Sequence, residues 1–476
     1  MKIRSTLLLL AILGWTSMQA QPLLEPVGGG VGTFGVLRFQ NDTLTDRLII
    51  SGGFKLVEGQ SIPGIVEWNG SSFGALGCGL MGSPWDCVAP LGAAGTSPIT
   101  DLEFWNGELY ACGSFTYSGT TSVNFIARFD GTAWQPLGLG ADAIVAGLRA
   151  MPDGLYAAGW FNQIDTVEAL GLARWDGTRW YPVHDLPDIT SVQASNAIGD
   201  VAEYNGMLYI AGNFAGPLGN NIARWNGTAW EGLNGGNGFL GSLGWVYRLE
   251  VHDGLLYMAG VFSTGSTGHP DNPGNGIVAF DGTDWYDLGG GTAGSVNHAV
   301  NEMLWWHDTL YIAGSFNMIG GVPTDGLARW DGNQWCSLVP PDYFDLPNSV
   351  IGLYHDSLFV GGTFMTAGGD SIARIAKWIG GNYTTGCGAL STEEQQRPDE
   401  QMRVWPNPAT DRLDVRWSDF GPDMHLKLYN ALGQLVLQGS PGSTTLNVQG
   451  IRPGAYLLLV ADERAIPLDR QQVLIE

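Results

Sequence analysis

The chain has 476 residues with 46 acidic and 22 basic side chains, a formal net charge of −24, and only 14 % charged residues in all. That length is too great for one ordinary core, so several domains or a repeat array are expected. The acidic balance lacks the basic footprint that nucleic-acid binding needs, and anionic membrane surfaces would repel it. It reads instead as solubility in an exposed compartment. Calcium held by acidic loops is a sharper reading, but no strict Asp-x-Asp-x-Asp-Gly loop is present. The 71 Gly and 19 Trp suit a chain of many turns and strands.

Met1-Lys2-Ile3-Arg4 is a short positive start, followed by the apolar run Leu7 to Leu13 and by Ser17-Met18-Gln19-Ala20 ahead of Gln21. Residues 1–20 therefore read as a secretory signal peptide, too short for a spanning helix. No Cys follows the apolar run, which argues against a lipoprotein anchor, and no later stretch has the length of a transmembrane segment.

Next comes a phrase that the chain repeats. Ile126-Ala127-Arg128-Phe129-Asp130-Gly131-Thr132-Ala133-Trp134 recurs from Leu172 to Trp180, from Ile222 to Trp230 and from Leu327 to Trp335. Weaker copies begin at Ile65, Val278 and Ile375. Alternating character, an Asp-Gly or Asn-Gly pair and a second aromatic predict two antiparallel strands joined by a tight turn at positive φ. Upstream of each copy stands a short apolar run closed by Gly, such as Leu208-Tyr209-Ile210-Ala211-Gly212, which predicts a strand buried on both faces. A further apolar segment precedes it, closed by Trp105-Asn106-Gly107, Tyr204-Asn205-Gly206 or His252-Asp253-Gly254. One unit is thus four strands, recurring every 46 to 61 residues, the period of a propeller blade.

The fold class expected is all-β: a seven-bladed β-propeller over 21–390, followed by a small C-terminal β-sandwich. Leu24-Glu25-Pro26-Val27-Gly28-Gly29-Gly30 resembles the fourth-strand phrase Tyr286-Asp287-Leu288-Gly289-Gly290-Gly291 and could complete the last blade; an eight-bladed ring or an open solenoid is the alternative. The spaced aromatics after Gly-Gly or Ala-Gly resemble kelch and galactose-oxidase-type propellers. Galactose oxidase is a copper enzyme with a tyrosine–cysteine crosslink. No set of Tyr and His positions maps onto that copper site, so the resemblance does not carry the activity.

First-to-second and third-to-fourth strand turns are short, whereas the opposite connections are longer and varied. The long ones include Gln163–Glu168, Gly268–Pro273 and Pro340–Asp345. Variable loops on a rigid scaffold are where binding resides, so a ligand is expected on that face. Asp101, Asp200, Arg248 and Glu302 fall at comparable depth on innermost strands and are the candidate ligand-binding, channel-lining residues; hydrated channel polarity is the plainer reading. His252, His307 and His355 recur beside turns and are expected to be turn or packing residues, since equivalent positions in different blades stand too far apart to share one ion. No catalytic constellation, metal set or cofactor is legible.

Five Cys in an exported chain allow two disulfides and one leftover thiol. Cys78 with Cys87 and Cys336 with Cys387 are the expected pairs. Cys112, at the Ala position of a buried strand phrase, is the expected free thiol.

Residues 391–402 read as a polar linker. The remainder, 403–476, changes grammar: Pro406-Asn407-Pro408 opens it, Gly433 follows a central strand, and Gly454-Ala455-Tyr456 stands near the end. These residues resemble the type A sorting domain of the type IX secretion system of Bacteroidetes. The resemblance implies export across the outer membrane, with the secretion machinery as partner, and a cargo released or left on the cell surface. The reading is a secreted or cell-surface, non-catalytic propeller that binds an extracellular glycan or protein. The alternative is a carbohydrate-active or oxidase-like propeller enzyme working at the channel mouth.

Overall fold

The computed structural model describes residues 23–88, 97–184, 186, 197–216, 218–233, 244–262, 275–293, 298–346, 349–380, 403–416, 421–422, 424–430, 435–461 and 467–475. The expected signal peptide (1–20), the expected linker (391–402) and loop 268–273 lie outside the described residues. Contacts divide the chain into two compact units, Met1–Ala389 and Leu390–Glu476. The described residues are all-β, with no helix assigned. None therefore contains a helix long and apolar enough to cross a membrane.

In the first unit the described residues form seven sheets in which four strands follow one another as an antiparallel meander. Sheet I is built from Val31–Asp42, Arg47–Val57, Ile65–Trp68 and Phe73–Ala75; sheet II from Ile99–Trp105, Glu108–Gly113, Ile126–Phe129 and Trp134–Pro136. Sheet III comprises Val145–Met151, Gly154–Gly159, Leu172–Trp175 and Trp180–Pro182; sheet IV comprises Ala197–Tyr204, Met207–Gly216, Gly219–Trp225 and Trp230–Gly232. Sheet V holds Trp245–His252, Leu255–Val261, Ile277–Phe280 and Trp285–Tyr286; sheet VI holds Ala299–Trp306, Thr309–Ser315, Leu327–Trp330 and Trp335–Ser337. Sheet VII has Ser349–Tyr354, Ser357–Gly362 and Ile375–Trp378, and its fourth strand is Leu24–Pro26, with Leu24 opposite Trp378.

Burial follows the pattern of the repeat. The second strand of every sheet is apolar along both faces, and the Phe that follows its glycine is sealed: Phe54, Phe115, Phe161, Phe214, Phe316 and Phe364 are each at most 1 % exposed. Each such ring contributes about 1.5–3 kcal/mol by leaving water. The cores lie between consecutive sheets: Tyr110 and Ile126 of sheet II pack with Leu148, Leu155 and Trp175 of sheet III. Val350, Tyr354 and Phe359 of sheet VII pack in the same way with Val36, Phe39 and Ile50 of sheet I. Fourth-strand tryptophans add a directional tie, because their indole N–H donates to a carbonyl of the preceding sheet's outer segment. Trp134 reaches Leu76 at 3.0 Å, Trp180 reaches Leu137 at 3.3 Å and Trp230 reaches His184 at 2.7 Å.

The two kinds of short turn differ. Between first and second strands, Asn106-Gly107 and Asn205-Gly206 take positive φ at both residues, as a two-residue hairpin turn requires. Between third and fourth strands only the Gly is left-handed, φ +95° at Gly131. The preceding Asp130 instead accepts from the amides of Thr132 and Ala133 through Oδ1, at 2.9 and 2.8 Å. The Asp or Asn of the repeat serves there as a side-chain acceptor that closes the loop, not as a residue tolerant of positive φ.

A second irregularity governs the innermost strands. Register slips by one residue between Val36 and Arg38, Ile99 and Asp101, Val145 and Gly147, Ile198 and Asp200, Val246 and Arg248, and Val300 and Glu302. These are β-bulges, each leaving one extra residue unpaired and re-aiming its neighbour. The glycine of the second strand stands opposite. A Cβ at Gly159 would lie 2.3 Å from the Ile144 carbonyl oxygen, one at Gly212 2.1 Å from that of Ala197, and one at Gly314 2.0 Å from that of Ala299. The repeated Gly is therefore a space requirement of the bulge. Gly159→Ala is expected to lower stability by about 1–3 kcal/mol, the range for overpacking against backbone, read as a fall in thermal midpoint. A midpoint equal to the parent would refute the contact.

In the second unit Arg403–Trp405, Arg412–Arg416 and Thr445–Asn447 form one sheet. Leu435–Gln438, His425–Tyr429, Gly454–Ala461 and Pro467–Ile475 form another. Both contribute to one core, including Leu413, Val415, Leu426, Leu428, Leu458 and Val473.

Candidate functional site

The bulges decide what faces the space enclosed by the innermost strands. The second residue of each bulge is Arg38, Asp101, Gly147, Asp200, Arg248 or Glu302, so the four sequence candidates occupy register-equivalent positions. Three of them meet in one network. Arg38 Nε donates to Asp101 Oδ1 at 2.6 Å, Arg38 Nη1 donates to Glu302 Oε2, and Arg248 Nε stands 3.7 Å from Glu302 Oε1. Asp200 joins a second network through Arg149, whose Nη2 donates to it at 2.8 Å; the same Nη2 also donates to the Leu249 carbonyl at 2.7 Å.

These carboxylates also brace the backbone. Asp101 accepts from the Leu102 amide and, across to sheet III, from the Leu148 amide, each at 3.0 Å. Asp200 repeats the arrangement with Val201 at 2.7 Å and Leu249 at 2.9 Å. Both Asp side chains are nearly sealed, each residue being 2 % exposed. Burial opposes the charged form of Asp101, but Arg38, Arg248 and the Leu148 amide outweigh it and hold its carboxyl below the usual range. Arg38 is likewise held above the ordinary arginine value by Asp101 and Glu302, against the burial that works the other way.

One turn deeper, Glu103 accepts from the Ala150 amide at 3.0 Å. Burial pushes its carboxyl up to about 7, with the Asp101 charge adding to the rise and Arg149 opposing it. Its folded value lies above the unfolded value of 4.5, so its contribution is full below about pH 4.5 and is lost as pH rises through about 7. Glu103→Gln is therefore expected to gain thermal midpoint relative to the parent as pH goes from 5 to 8. A difference independent of pH would sink this assignment. Arg38→Met, which strands Asp101 and Glu302, is expected to cost about 3–5 kcal/mol in chemical denaturation.

Above the ionic layer, at the end where the innermost strands begin, lies a cavity of about 380 Å³. The first bulge residues line it: Leu37, Thr100, Ala146, Gly199, Tyr247 and Asn301. Trp160, Trp245 and Arg248, with Val36 and Val350, also line it. Trp160 and Trp245 meet edge to face with ring centres 5.3 Å apart, and Tyr247 is 5.7 Å from Trp245. Gly199 leaves room for Trp245, whose Nε1 would be 3.2 Å from a Cβ there. This is the end that carries the second-to-third and fourth-to-first connections, on which Gln163–Ile164 and Val167–Glu168 form a small hairpin. Trp160, Trp245 and Tyr247 were not singled out from sequence. At the position after the second-strand Gly, other repeats place Ser114, Asn213, Val261, Ser315 or Thr363, so Trp160 is a departure from the repeat and a readable one.

The histidines lie apart from this cavity. His252 stacks on Trp305 at 3.7 Å, His307 is 3.3 Å from Asp356, and His355 Nε2 is 2.5 Å from Asp46 Oδ1. Cys78 and Cys87 are joined, with Cα atoms 5.1 Å apart. Cys336 is disulfide-bonded, and Cys387 lies outside the described residues. Cys112 is a buried free thiol whose pKa burial raises well above its ordinary value.

In the second unit Pro406-Asn407-Pro408 lies between the first two strands, and Asn407 Oδ1 accepts from the Leu474 amide at 2.8 Å. Gly454 begins the strand in which the Tyr456 hydroxyl donates to the Arg452 carbonyl at 2.7 Å. Gly433 lies outside the described residues.

None of the curated proteins matches the chain significantly. Among solved structures it is similar to the extracellular domain described as part of a hybrid two-component system of B. thetaiotaomicron. Identity there is 11 %, with 96 % of this chain and 58 % of that one covered and a TM-score of 0.43. PorZ, a surface component of the type IX secretion system of Porphyromonas gingivalis, is similar at 15 % identity, 93 % and 65 % coverage and a TM-score of 0.31. A fungal alcohol oxidase of the AA5 family, in complex with copper, is similar at 14 % identity, 96 % and 99 % coverage and a TM-score of 0.42. The chain thus spans less than two thirds of the length of the first two of these, and no residue role is taken from any of them. Residues 403–473 match the secretion system C-terminal sorting domain. Residues 403–473 are therefore a C-terminal sorting domain, which indicates export of the chain by the type IX secretion system to the cell surface or the medium.

Proposed function

We propose that the first unit is a closed seven-bladed β-propeller, spanning 21–390, that binds an extracellular glycan or protein without catalysing a reaction. Closure is supported by the pairing of Leu24–Pro26 with Ile375–Trp378 and by the shared core of sheets VII and I. A leader over 1–20 would open the route, and the tail over 403–476, after the 391–402 linker, would engage the outer-membrane machinery of a Bacteroidetes host.

One observation carries the binding reading. The channel mouth has an aromatic wall and a few polar groups, the composition of a ligand pocket. Beneath it Asp101 and Asp200 are already committed to arginines and backbone amides. Carboxylates so engaged are poorly placed to move protons for a substrate.

Two measurements test this. Deleting 403–476 in a host with the type IX system should leave the propeller in the periplasm, whereas equal surface export without the tail would remove the tail's role. Titrating the full chain with a library of glycans and extracellular proteins should quench Trp fluorescence, and Trp160→Ala should weaken the best ligand about tenfold or more. A ligand unaffected by Trp160→Ala would place binding elsewhere.

A further inference from the structure

Arg248 differs from the other two channel arginines. Arg38 donates to two carboxylates, and Arg149 donates to Asp200, Glu250 and two backbone carbonyls. Arg248 donates Nη1 to the carbonyl of its own neighbour Tyr247 at 3.1 Å, and its Nε finds no hydrogen-bond partner. Its nearest acid, Glu302 at 3.7 Å, already accepts from Arg38 through the other oxygen and from the Met303 amide at 3.3 Å. A guanidinium has five N–H donors, so most of those on Arg248 remain uncommitted. Arg248 is also the one charged residue among the described residues lining the mouth cavity. In a strongly acidic chain, a single arginine at the cavity wall is what an anionic ligand could meet there.

Resting on the binding reading above, we propose that this cavity takes an acidic sugar: a uronate residue at the end or edge of a glycan chain. The carboxylate would sit against the free donors of Arg248, whose planar fork matches it with two parallel hydrogen bonds. The flat face of the ring would lie along Trp160, Trp245 and Tyr247. Asn301 and Tyr247 would supply hydroxyl-directed contacts from the first bulge positions. A cavity of about 380 Å³ is near the lower end of small-molecule sites, which suits a sugar better than a folded protein surface. Binding would also give Arg248 the counter-ion that Glu302, shared with Arg38, supplies only at a distance.

The test is calorimetric titration of the full chain with oligosaccharides of galacturonate, glucuronate and mannuronate, each beside its methyl ester. The ester keeps ring and hydroxyls and removes the charge. At least one acid form is expected to bind about tenfold or more tighter than its ester, and Arg248→Gln to abolish that difference. Arg248→Lys, which keeps the charge but not the fork, should fall between. The acid–ester comparison on the parent protein stands even if a variant fails to fold. Equal binding of acid and ester, or binding of neutral sugars only, overturns the acidic-sugar assignment while leaving a binding module in place. No response to any sugar overturns the assignment, and no response to extracellular proteins as well overturns the binding reading with it.

Discussion

An antiparallel strand with one residue too many must push that residue out of the ladder, and the first unit repeats this on six of its innermost strands. The extra residue turns toward the cavity, and the one after it enters the layer of charged side chains between the innermost strands. Nothing but glycine fits opposite, because the backbone carbonyl there comes as near as 2.0 Å to where a Cβ would stand. One steric requirement therefore produces both layers: a rim of varied side chains and, below it, a ring of charged ones.

The charged layer is stable because it is nearly self-contained. Ionised groups removed from water are costly unless they meet both counter-charges and hydrogen bonds. Asp101 and Asp200 have both, each accepting from an arginine and from amides of two sheets. They fasten neighbouring sheets through the centre as the tryptophan N–H groups do toward the outside. Arg248 stands at the boundary of this layer, with fewer partners among the described residues than Arg38 or Arg149, which is the observation that the proposed uronate site rests on.

Much of this was legible in the residues. Four strands per repeat, the buried second strand and a missing last strand within Leu24–Gly30 follow from apolar spacing and repeated wording; the structure narrows that strand to Leu24–Pro26. Asp101, Asp200, Arg248 and Glu302 could be aligned because each stands two residues after a branched apolar residue (Ile99, Ile198, Val246, Val300) and at the same distance from the next turn. Arg38 was passed over because Val31–Asp42 is longer and has three register shifts, which blurs the alignment. Arg149 was missed because it lies two residues beyond the equivalent place, held by Gly147, and reaches sideways. Periodicity places backbones, whereas a long flexible side chain chooses its partner from whatever the fold brings near. The aromatic rim depends on the same convergence: Trp160 and Trp245 are 85 positions apart in the chain and meet only through the arrangement of sheets III and V.

Sheet VII borrows its fourth strand from the opposite end of the unit. Leu24–Pro26 emerges from the ribosome long before Ile375–Trp378, and it has no ladder to join until that later strand exists. Contacts so remote in sequence carry a large loop-closure penalty and form late. The first unit thus has a built-in order of assembly, in which the earliest segment made is the last one locked. Until then sheet VII keeps a free edge, because its fourth strand is made ahead of the six sheets that separate it from its partner.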